Sequence, residues 1–407
     1  MTSEPDVAYV WIWLPGALEP VVCGRLDDRD GRITFGYATS YLDRADAVAI
    51  YEPELALRPG AQRSLSGNRL PLSIDDAMPD SWGRRLVNHR LGQLMAELGE
   101  LTYLLHSGSD RIGALDFQER SDTYVARSAD HPTLDDLATA VARLQSGEEL
   151  DQQLTDALIR GTSIGGARPK ALLDDSGRQL IAKFSSTTDH YPVLQAEYVA
   201  MELARRAGLD VAPVDIVEVG GKHTLLVERF DRGPRGVRHR MVSALTVLGY
   251  NTFPDGRYAT YADLADEIRE RFVEPRVTLR ELFARISFNI LCSNTDDHGR
   301  NHAAFVREDG LALTPAYDIC PQARTGTEAD QAMAYGPGGE RNSNVWSLHA
   351  VAHHYGLDRQ EARELIEAQI AGVNENWAEV CDVAALPRIE RGRLLGNQFL
   401  NPSSLAT

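Results

Sequence analysis

The segment Asn294-Thr295-Asp296-Asp297-His298-Gly299-Arg300-Asn301-His302 gathers acids, histidines and amides directly after the apolar run Leu282–Leu291. Asp296 and Asn301 stand five apart. At that spacing an aspartate can accept the proton of an attacking hydroxyl while the asparagine oxygen holds Mg²⁺, which is the chemistry of phosphoryl transfer. Asp297 adds a carboxylate that either reinforces metal binding or is solvated. Further on, Asp318 closes a hairpin-like unit made of Ala303–Val306, Glu308-Asp309-Gly310 and Leu311–Leu313. A second metal-binding aspartate is expected across such a pair of strands. Helix capping or a turn is the plain alternative for these residues.

Upstream, Gly161-Thr162-Ser163-Ile164-Gly165-Gly166-Ala167-Arg168-Pro169-Lys170 precedes the apolar Ala171-Leu172-Leu173. Small residues let backbone N–H groups approach phosphate oxygens, so this could be an anion-cradling loop; alone, it also reads as an ordinary glycine-rich turn. It is not a Walker A loop, because Ala167 stands where lysine is required. Lys183 lies in the short strand Gln179–Phe184, and a lysine between apolar residues needs a partner. Fourteen residues later Glu197 sits among Leu194, Tyr198 and Met201 at helical spacing, so it could face Lys183 and hold the ammonium against phosphates. Taken alone, an exposed lysine and a solvated glutamate would fit as well.

These residues need elements to hold them. The 407 residues predict two to three folding units, and the net charge of −17 without a basic run opposes a large nucleic-acid footprint. No run approaches the roughly 18 apolar residues that span a bilayer, and the acidic start Met1–Asp6 lacks a signal peptide's basic region, so the cytoplasm is expected. Cys23, Cys292, Cys320 and Cys381 are far apart and read as reduced, mostly buried thiols. Val7–Trp13 and Ile33–Tyr37 read as strands, with a turn at Asp30-Gly31. Glu119–Pro132 reads as linker, and Asp135–Gln145 as an amphipathic helix with Leu137, Val141 and Leu144 on one face. Leu348–Val380 is again helical, and the tail from Asn401 should fray. Trp82 and His349–His354 read as core or surface residues without a specific role.

The order is small-residue loop, strand lysine, helix glutamate, strand leading to Glu228-Arg229-Phe230-Asp231, Asp-x4-Asn loop and distal aspartate. That is the order of a bilobal protein kinase. The expected fold is α+β: a bilobal protein-kinase-like fold of the PI3/4-kinase-like variety, with a small N-terminal α+β subdomain and a mainly helical C-terminal lobe. Its expected parts are a subdomain 1–118, a linker 119–134, an N-lobe region 135–235 with phosphate loop and hinge, a helical C-lobe 236–400 and a tail 401–407.

The chain also resembles the HipA-like serine/threonine kinases, the toxin halves of HipBA toxin–antitoxin modules. The similar segments are Ser163–Ala171, Leu226–Arg232, Asn294–Asn301 and Pro315–Asp318, with Leu72–Leu86 and Asp110–Leu115 resembling the family's N-terminal subdomain. The resemblance implies ATP and Mg²⁺ as cofactors and Asp296 as catalytic base. Asn301 and Asp318 would hold the metal, and His298, Gly299, Arg300, Asn301, Tyr317 and Asp318 would lie at the nucleotide. Lys183 would contact the phosphates, Gly165, Gly166, Ala167, Arg168, Pro169 and Lys170 would form the nucleotide loop, and Glu228, Arg229 and Phe230 the hinge offering backbone groups to adenine. Ser163 matches an autophosphorylated loop serine whose modification expels the loop, with Thr162 a neighbouring candidate.

Arg168-Pro169 in the loop and Asp297 after the catalytic position depart from the best-known pattern, which bears on loop dynamics and substrate choice. The implied substrates are aminoacyl-tRNA synthetases, glutamyl-tRNA synthetase above all. The implied partner is a helix-turn-helix antitoxin of HipB type, through which alone this acidic chain would meet DNA. Two rivals stand beside this reading. One is a metal-dependent hydrolase using Asp296, Asp297, His298 and His302, aided by His349, His353 and His354, with His349 and His353 four apart on a helix. The other is a kinase-shaped co-repressor acting with its antitoxin.

Overall fold

The computed structural model describes residues 5–29, 31–64, 67–93, 97–127, 132–148, 150, 152–251, 255–324 and 328–406. Met1–Glu4 of the acidic start, Asp30 of the expected turn, residues 128–131 of the expected linker and Thr407 lie outside the described residues. The chain forms two compact units, Met1–Thr187 with Glu218–Val242, and Thr188–Val217 with Ser243–Thr407.

The first unit begins with β1 (Val7–Ile12), β2 (Val21–Arg29), β3 (Arg32–Tyr37), β4 (Ala61–Gln62) and β5 (Leu115–Gln118), antiparallel in the order β4-β3-β2-β1-β5. Alternation explains the pairing: in β3 Ile33, Phe35 and Tyr37 turn inward while Arg32 is exposed. The sequence reading found β1 and β3 but not β2, whose polar Asp27-Asp28-Arg29 end hides the strand pattern. Around this sheet lie α1 (Thr39–Leu42), α2 (Leu72–Asp75), α3 (Ser81–Arg90) and α4 (Glu100–His106).

The expected linker is no loose tether over its described part. Tyr124 packs on Trp11 and Trp13, and Arg127 binds the Ser107 carbonyl at 2.8 Å and Asp116 at 2.7 Å. Then come α5 (Leu134–Ser146) and α6 (Gln152–Ile159). A capping box of Thr133 and Asp136 starts α5, left-handed Gly147 ends it, and Leu137, Ala140 and Val141 are its buried face. In the second sheet β6 (Lys170–Asp175) and β7 (Arg178–Phe184) form an antiparallel hairpin. The chain crosses to the other unit after Thr187 and returns within β8 (Val214–Val219); β9 (Lys222–Glu228) then pairs with β7.

The second unit contains α7 (Val193–Arg206), α8 (Ala244–Leu248), α9 (Tyr261–Arg271), α10 (Pro275–Leu291), α11 (Val345–Ala350), α12 (Arg359–Val383), α13 (Arg388–Leu394) and α14 (Pro402–Leu405). Every residue of α10 from Leu282 to Leu291 is buried, as expected of a helix without a polar stripe, and α9 and α12 pack against it. α7, expected within the 135–235 region, belongs to this unit and packs on α12, where Arg206 binds Asn376 and Glu379 at 2.9 Å.

Two expectations are corrected here. The helical stretch Leu348–Val380 is broken at Val351 and again at Gly356–Asp358, so His349 lies on α11 and His353 on a separate 3-10 turn, Ala352–Tyr355. Glycine at 356 supplies the left-handed φ that ends that turn. The tail does not fray: Asn344 binds the carbonyls of Ser403 and Ala406, the Trp346 ring nitrogen binds that of Leu405, and Arg324 binds Ser404 at 2.7 Å.

Candidate active site

α10 ends at Cys292, and the loop behind it starts with left-handed Ser293 at φ 53°. Two bonds back to the helix fix its path: Asn294 donates its N–H to the Asn289 carbonyl at 2.8 Å and its side-chain amide to Asn289 Oδ1 at 3.0 Å. From there the side chains part by direction. Asp296 and His298 are exposed, whereas Asp297 between them is buried.

Asp297 is the post on which the loop is built. Its Oδ2 accepts from the Tyr261 hydroxyl of α9, from the Asn289 amide of α10 at 2.8 Å, and meets His302 Nε2 at 2.7 Å. Burial alone would raise its carboxyl, but the His302 ring and the Tyr261 hydroxyl outweigh that and hold it below the usual carboxylate range. An ionised carboxylate only accepts, so Nε2 of His302 carries the proton. Burial and the Asp297 charge in turn push Tyr261 well above its ordinary value. Asp297 is therefore not solvated: its Oδ2 is taken up inside the protein by three partners. Among the described residues no group of three or more His, Cys, Asp and Glu side chains is placed to hold a metal ion.

Beyond His298 a 3-10 turn, Gly299–Asn301, leads into an antiparallel hairpin of Ala303–Val306 and Leu311–Leu313, as expected. The hairpin delivers Tyr317 back to the loop: its hydroxyl donates to the Arg300 carbonyl at 2.7 Å. Next to it Asp318 takes a left-handed backbone, φ 58°. For a residue other than glycine this costs about 1–2 kcal/mol, and strain of this kind gathers at functional sites. Within the second unit, Asp296, Asn301, Tyr317 and Asp318 thus stand on two segments tied by one hydrogen bond.

In the first unit, Gly165, Gly166 and Ala167 form the exposed tip of the loop before β6, and Arg168 is half-buried. Gly166 has φ 112°, a conformation that favours glycine. Lys170 is turned back on the loop, its Nζ donating to the Gly165 carbonyl. Lys183 is half-buried in β7, directly opposite Lys170 in the ladder and so on the same face. Ser163 and Thr162 have no exposed surface; Ser163 Oγ donates to the Gly108 carbonyl at 3.1 Å, and Thr162 Oγ1 to that of Ile159 at 2.7 Å. In the second unit Glu197 is buried on α7, 2% exposed.

At the expected hinge, Arg229 is bound into the fold. Arg229 donates its N–H to the Gln179 carbonyl at 2.9 Å, and its guanidinium is bound to Asp231 and, at 2.9 Å, to Asp110. That residue holds the fold together rather than offering its N–H to a ligand. Arg232 binds the same acids at 2.8 Å, and Asp231 also accepts from the Gly113 N–H at 2.8 Å. Burial opposes ionisation of both acids, yet the guanidiniums prevail: Asp231 is lowered to about 2, and Asp110 lies further below the carboxylate range. Asp110 and Asp231 went unrecognised in sequence as a cluster; the short spacing of Arg229, Asp231 and Arg232 was the available signal.

The mixed α/β architecture goes with likeness to proteins named as kinases. The chain belongs to the HipA family: residues 162–377 match the HipA-like C-terminal domain and residues 16–118 the HipA N-terminal domain. It is 30% identical over 187 residues, 39% of this chain and 42% of the relative, to the serine/threonine-protein kinase toxin HipA of Shewanella oneidensis. It is 26% identical over 320 residues, 72% of this chain and 73% of the relative, to Y4mE of Sinorhizobium fredii, which carries a provisional kinase name. Its fold matches that of HipA in the complex of Shewanella oneidensis HipA, HipB and operator DNA, with a TM-score of 0.70 and 19% identity over 97% of this chain and 99% of that one.

Proposed function

We propose that the protein is an ATP- and Mg²⁺-dependent serine/threonine protein kinase with the bilobal, PI3/4-kinase-like arrangement, acting as the toxin of a toxin–antitoxin pair. The observation that carries this reading is the division of labour at the Asp296–Asn301 loop. Asp297 is spent inside as an anchor, which leaves Asp296 exposed at a fixed place to accept a hydroxyl proton. In this reading Asp296 orients a serine or threonine hydroxyl of the substrate protein; its oxygen bonds to the γ-phosphorus as ADP leaves.

The amide and carboxylate oxygens of Asn301 and Asp318 are hard donors that fit Mg²⁺, and both residues are only half-buried. The ion would supply charge neutralisation at the β- and γ-phosphate oxygens. Lys183 would anchor those phosphates with Glu197 as its partner, and Gly165–Lys170 would wrap them. Glu228, Arg229 and Phe230 would offer backbone groups to adenine, with His298, Gly299, Arg300 and Tyr317 near the nucleotide. Ser163 is the proposed autophosphorylation site. Its burial requires the loop to open first.

The proposed partner is a HipB-type helix-turn-helix antitoxin that brings the acidic chain to DNA. The proposed substrates are aminoacyl-tRNA synthetases, and the proposed compartment is the cytoplasm. Among the described residues no helix is long and apolar enough to cross a membrane. The test is transfer of label from γ-³²P-ATP by the wild type and Asp296→Asn, with phosphosites mapped by mass spectrometry. Label in the wild type alone, on Ser163 and on added synthetase, is expected. Equal label in both proteins would remove Asp296 from its role, and nucleotide binding without any transfer would favour the co-repressor.

A further inference from the structure

Asp296 is exposed, yet the residues on either side of it are tied down. Before it, the Thr295 carbonyl accepts from the Ala332 N–H at 3.0 Å. After it, the Asp297 carboxylate accepts from the Tyr261 hydroxyl. These two ties share one support, because the Tyr261 N–H donates to the Ala334 carbonyl at 2.8 Å. Three hydrogen bonds thus close a ring that runs from Thr295 to Ala332, along the chain to Ala334, across to Tyr261 and back to Asp297. Asp296 is the residue at which the ring closes.

The support is itself stiff. Residues 329–344 fold back on themselves as a hairpin: Ser343 donates its N–H to the Ala329 carbonyl at 2.7 Å, Gln331 to that of Arg341 at 2.6 Å and Tyr335 to that of Glu340 at 2.7 Å. Tyr335 has no exposed surface; its hydroxyl binds Asn342 Oδ1 at 2.6 Å, and its carbonyl accepts from the Tyr355 hydroxyl at 2.6 Å. Tyr261 is equally buried and is the first residue of α9, where a helix has no carbonyl of its own for the N–H. That N–H goes to the hairpin and the hydroxyl to the catalytic loop, so one residue holds both.

We propose that Tyr261 is a positioning residue for phosphoryl transfer, which sets the place of Asp296 by bridging the hairpin 329–344 to the Asp297 side of the loop. The proposal rests on the kinase reading given above. It deepens that reading by assigning the placement of the base to a residue outside the Asp-x4-Asn segment. A base on an exposed loop gains nothing from its chemistry unless its backbone is fixed, since a small misplacement of a reacting group is costly in rate. Here the backbone is fixed on both flanks while the side chain between them stays open to a substrate. Tyr261 touches no reacting atom; it acts through the chain that carries Asp296.

The test is steady-state phosphoryl transfer by the full-length protein as wild type, Tyr261→Phe, Asp296→Asn and the double variant, with hydrogen–deuterium exchange of each. Tyr261→Phe removes the hydroxyl and keeps the ring that meets His302 edge-on at 5.6 Å. Its kcat is expected to fall about tenfold, the factor that loss of one buried hydrogen bond gives, with KM for ATP within about twofold of wild type. In the Asp296→Asn background the same change should cost nothing further, because the group through which it acts is already gone. Exchange in 294–298 is expected to rise about tenfold, with 303–313 unchanged. The same loss of rate in both backgrounds, an unchanged kcat or an unchanged loop exchange would each overturn the positioning role. If Tyr261→Phe fails to fold, Ala332→Pro carries the test with the same outcomes, since it removes the N–H at the other end of the ring from an exposed residue. Faster loop exchange in the variant of a protein that transfers no phosphate even as wild type would uphold the ring and overturn the kinase reading instead.

Discussion

Tyr317 gives its hydroxyl hydrogen to the Arg300 carbonyl at 2.7 Å, and so joins the residue before Asp318 to the residue before Asn301. The two proposed metal ligands are therefore positioned through their neighbours as well as through the hairpin between them. Tyr317→Phe keeps the ring and removes this tie. Its expected effect is a rise of about tenfold in the Mg²⁺ concentration needed for half-maximal phosphoryl transfer, with a melting temperature close to wild type. A metal titration of the transfer rate checks this.

Asp296 and Asp297 are adjacent and should respond to substitution in opposite ways. Asp296→Asn changes an exposed side chain, so stability should stay within about 0.5 kcal/mol while transfer falls by about 10²–10⁴. Asp297→Ala strips Tyr261, Asn289 and His302 of a common acceptor and should cost about 3–5 kcal/mol. Urea unfolding of both variants beside their transfer rates separates the two roles; equal destabilisation would refute the division.

This contrast marks what could be read in the sequence. Asp296, Asn301 and Asp318 lie on the expected loop and behind the expected hairpin because their spacing is local, and Lys183 is on its expected strand for the same reason. The inward turn of Asp297 was not legible, since it depends on Tyr261, 36 residues away on another helix. The commitment of Arg229 depends likewise on Asp110, 119 residues away. Docking of the C-terminal residues depends on Asn344 and Trp346. Local pattern fixes which element a residue occupies; which way it faces is decided by partners distant in the chain.

The Asp110–Asp231 cluster should set an acid limit on stability. The Arg229 and Arg232 guanidiniums lower Asp231 to about 2 in the folded state, against an ordinary aspartate value of about 3.9 when unfolded. Below the unfolded value protons bind the unfolded chain preferentially, so the stabilisation is complete above about pH 4 and is lost as pH falls toward 2. About 2 kcal/mol should disappear over that window from Asp231 alone. Chemical denaturation across pH 2–5 measures it, and Asp231→Asn should lower stability at pH 7 while flattening the acid limb.

Thiol chemistry gives an independent check on packing. Cys23, Cys292 and Cys381 are buried, and burial pushes Cys292 up to about 12 and Cys381 up to about 11. Cys320 is only half-buried. A water-soluble disulfide reagent should modify Cys320 first in the native protein and reach the other thiols only on unfolding. Rapid labelling of Cys292 in the folded protein would contradict the packing behind α10.

The pairing of α7 with α12 bears on how the protein is made. Arg206, at the end of α7, finds Asn376 only 170 residues later in the chain. A nascent polypeptide that has already emerged past Asp318 still lacks the helix that completes its second unit, so that unit matures late in synthesis. Products terminated before α12 should then lack a packed second unit and be open to proteolysis, while the first unit is already complete in sequence.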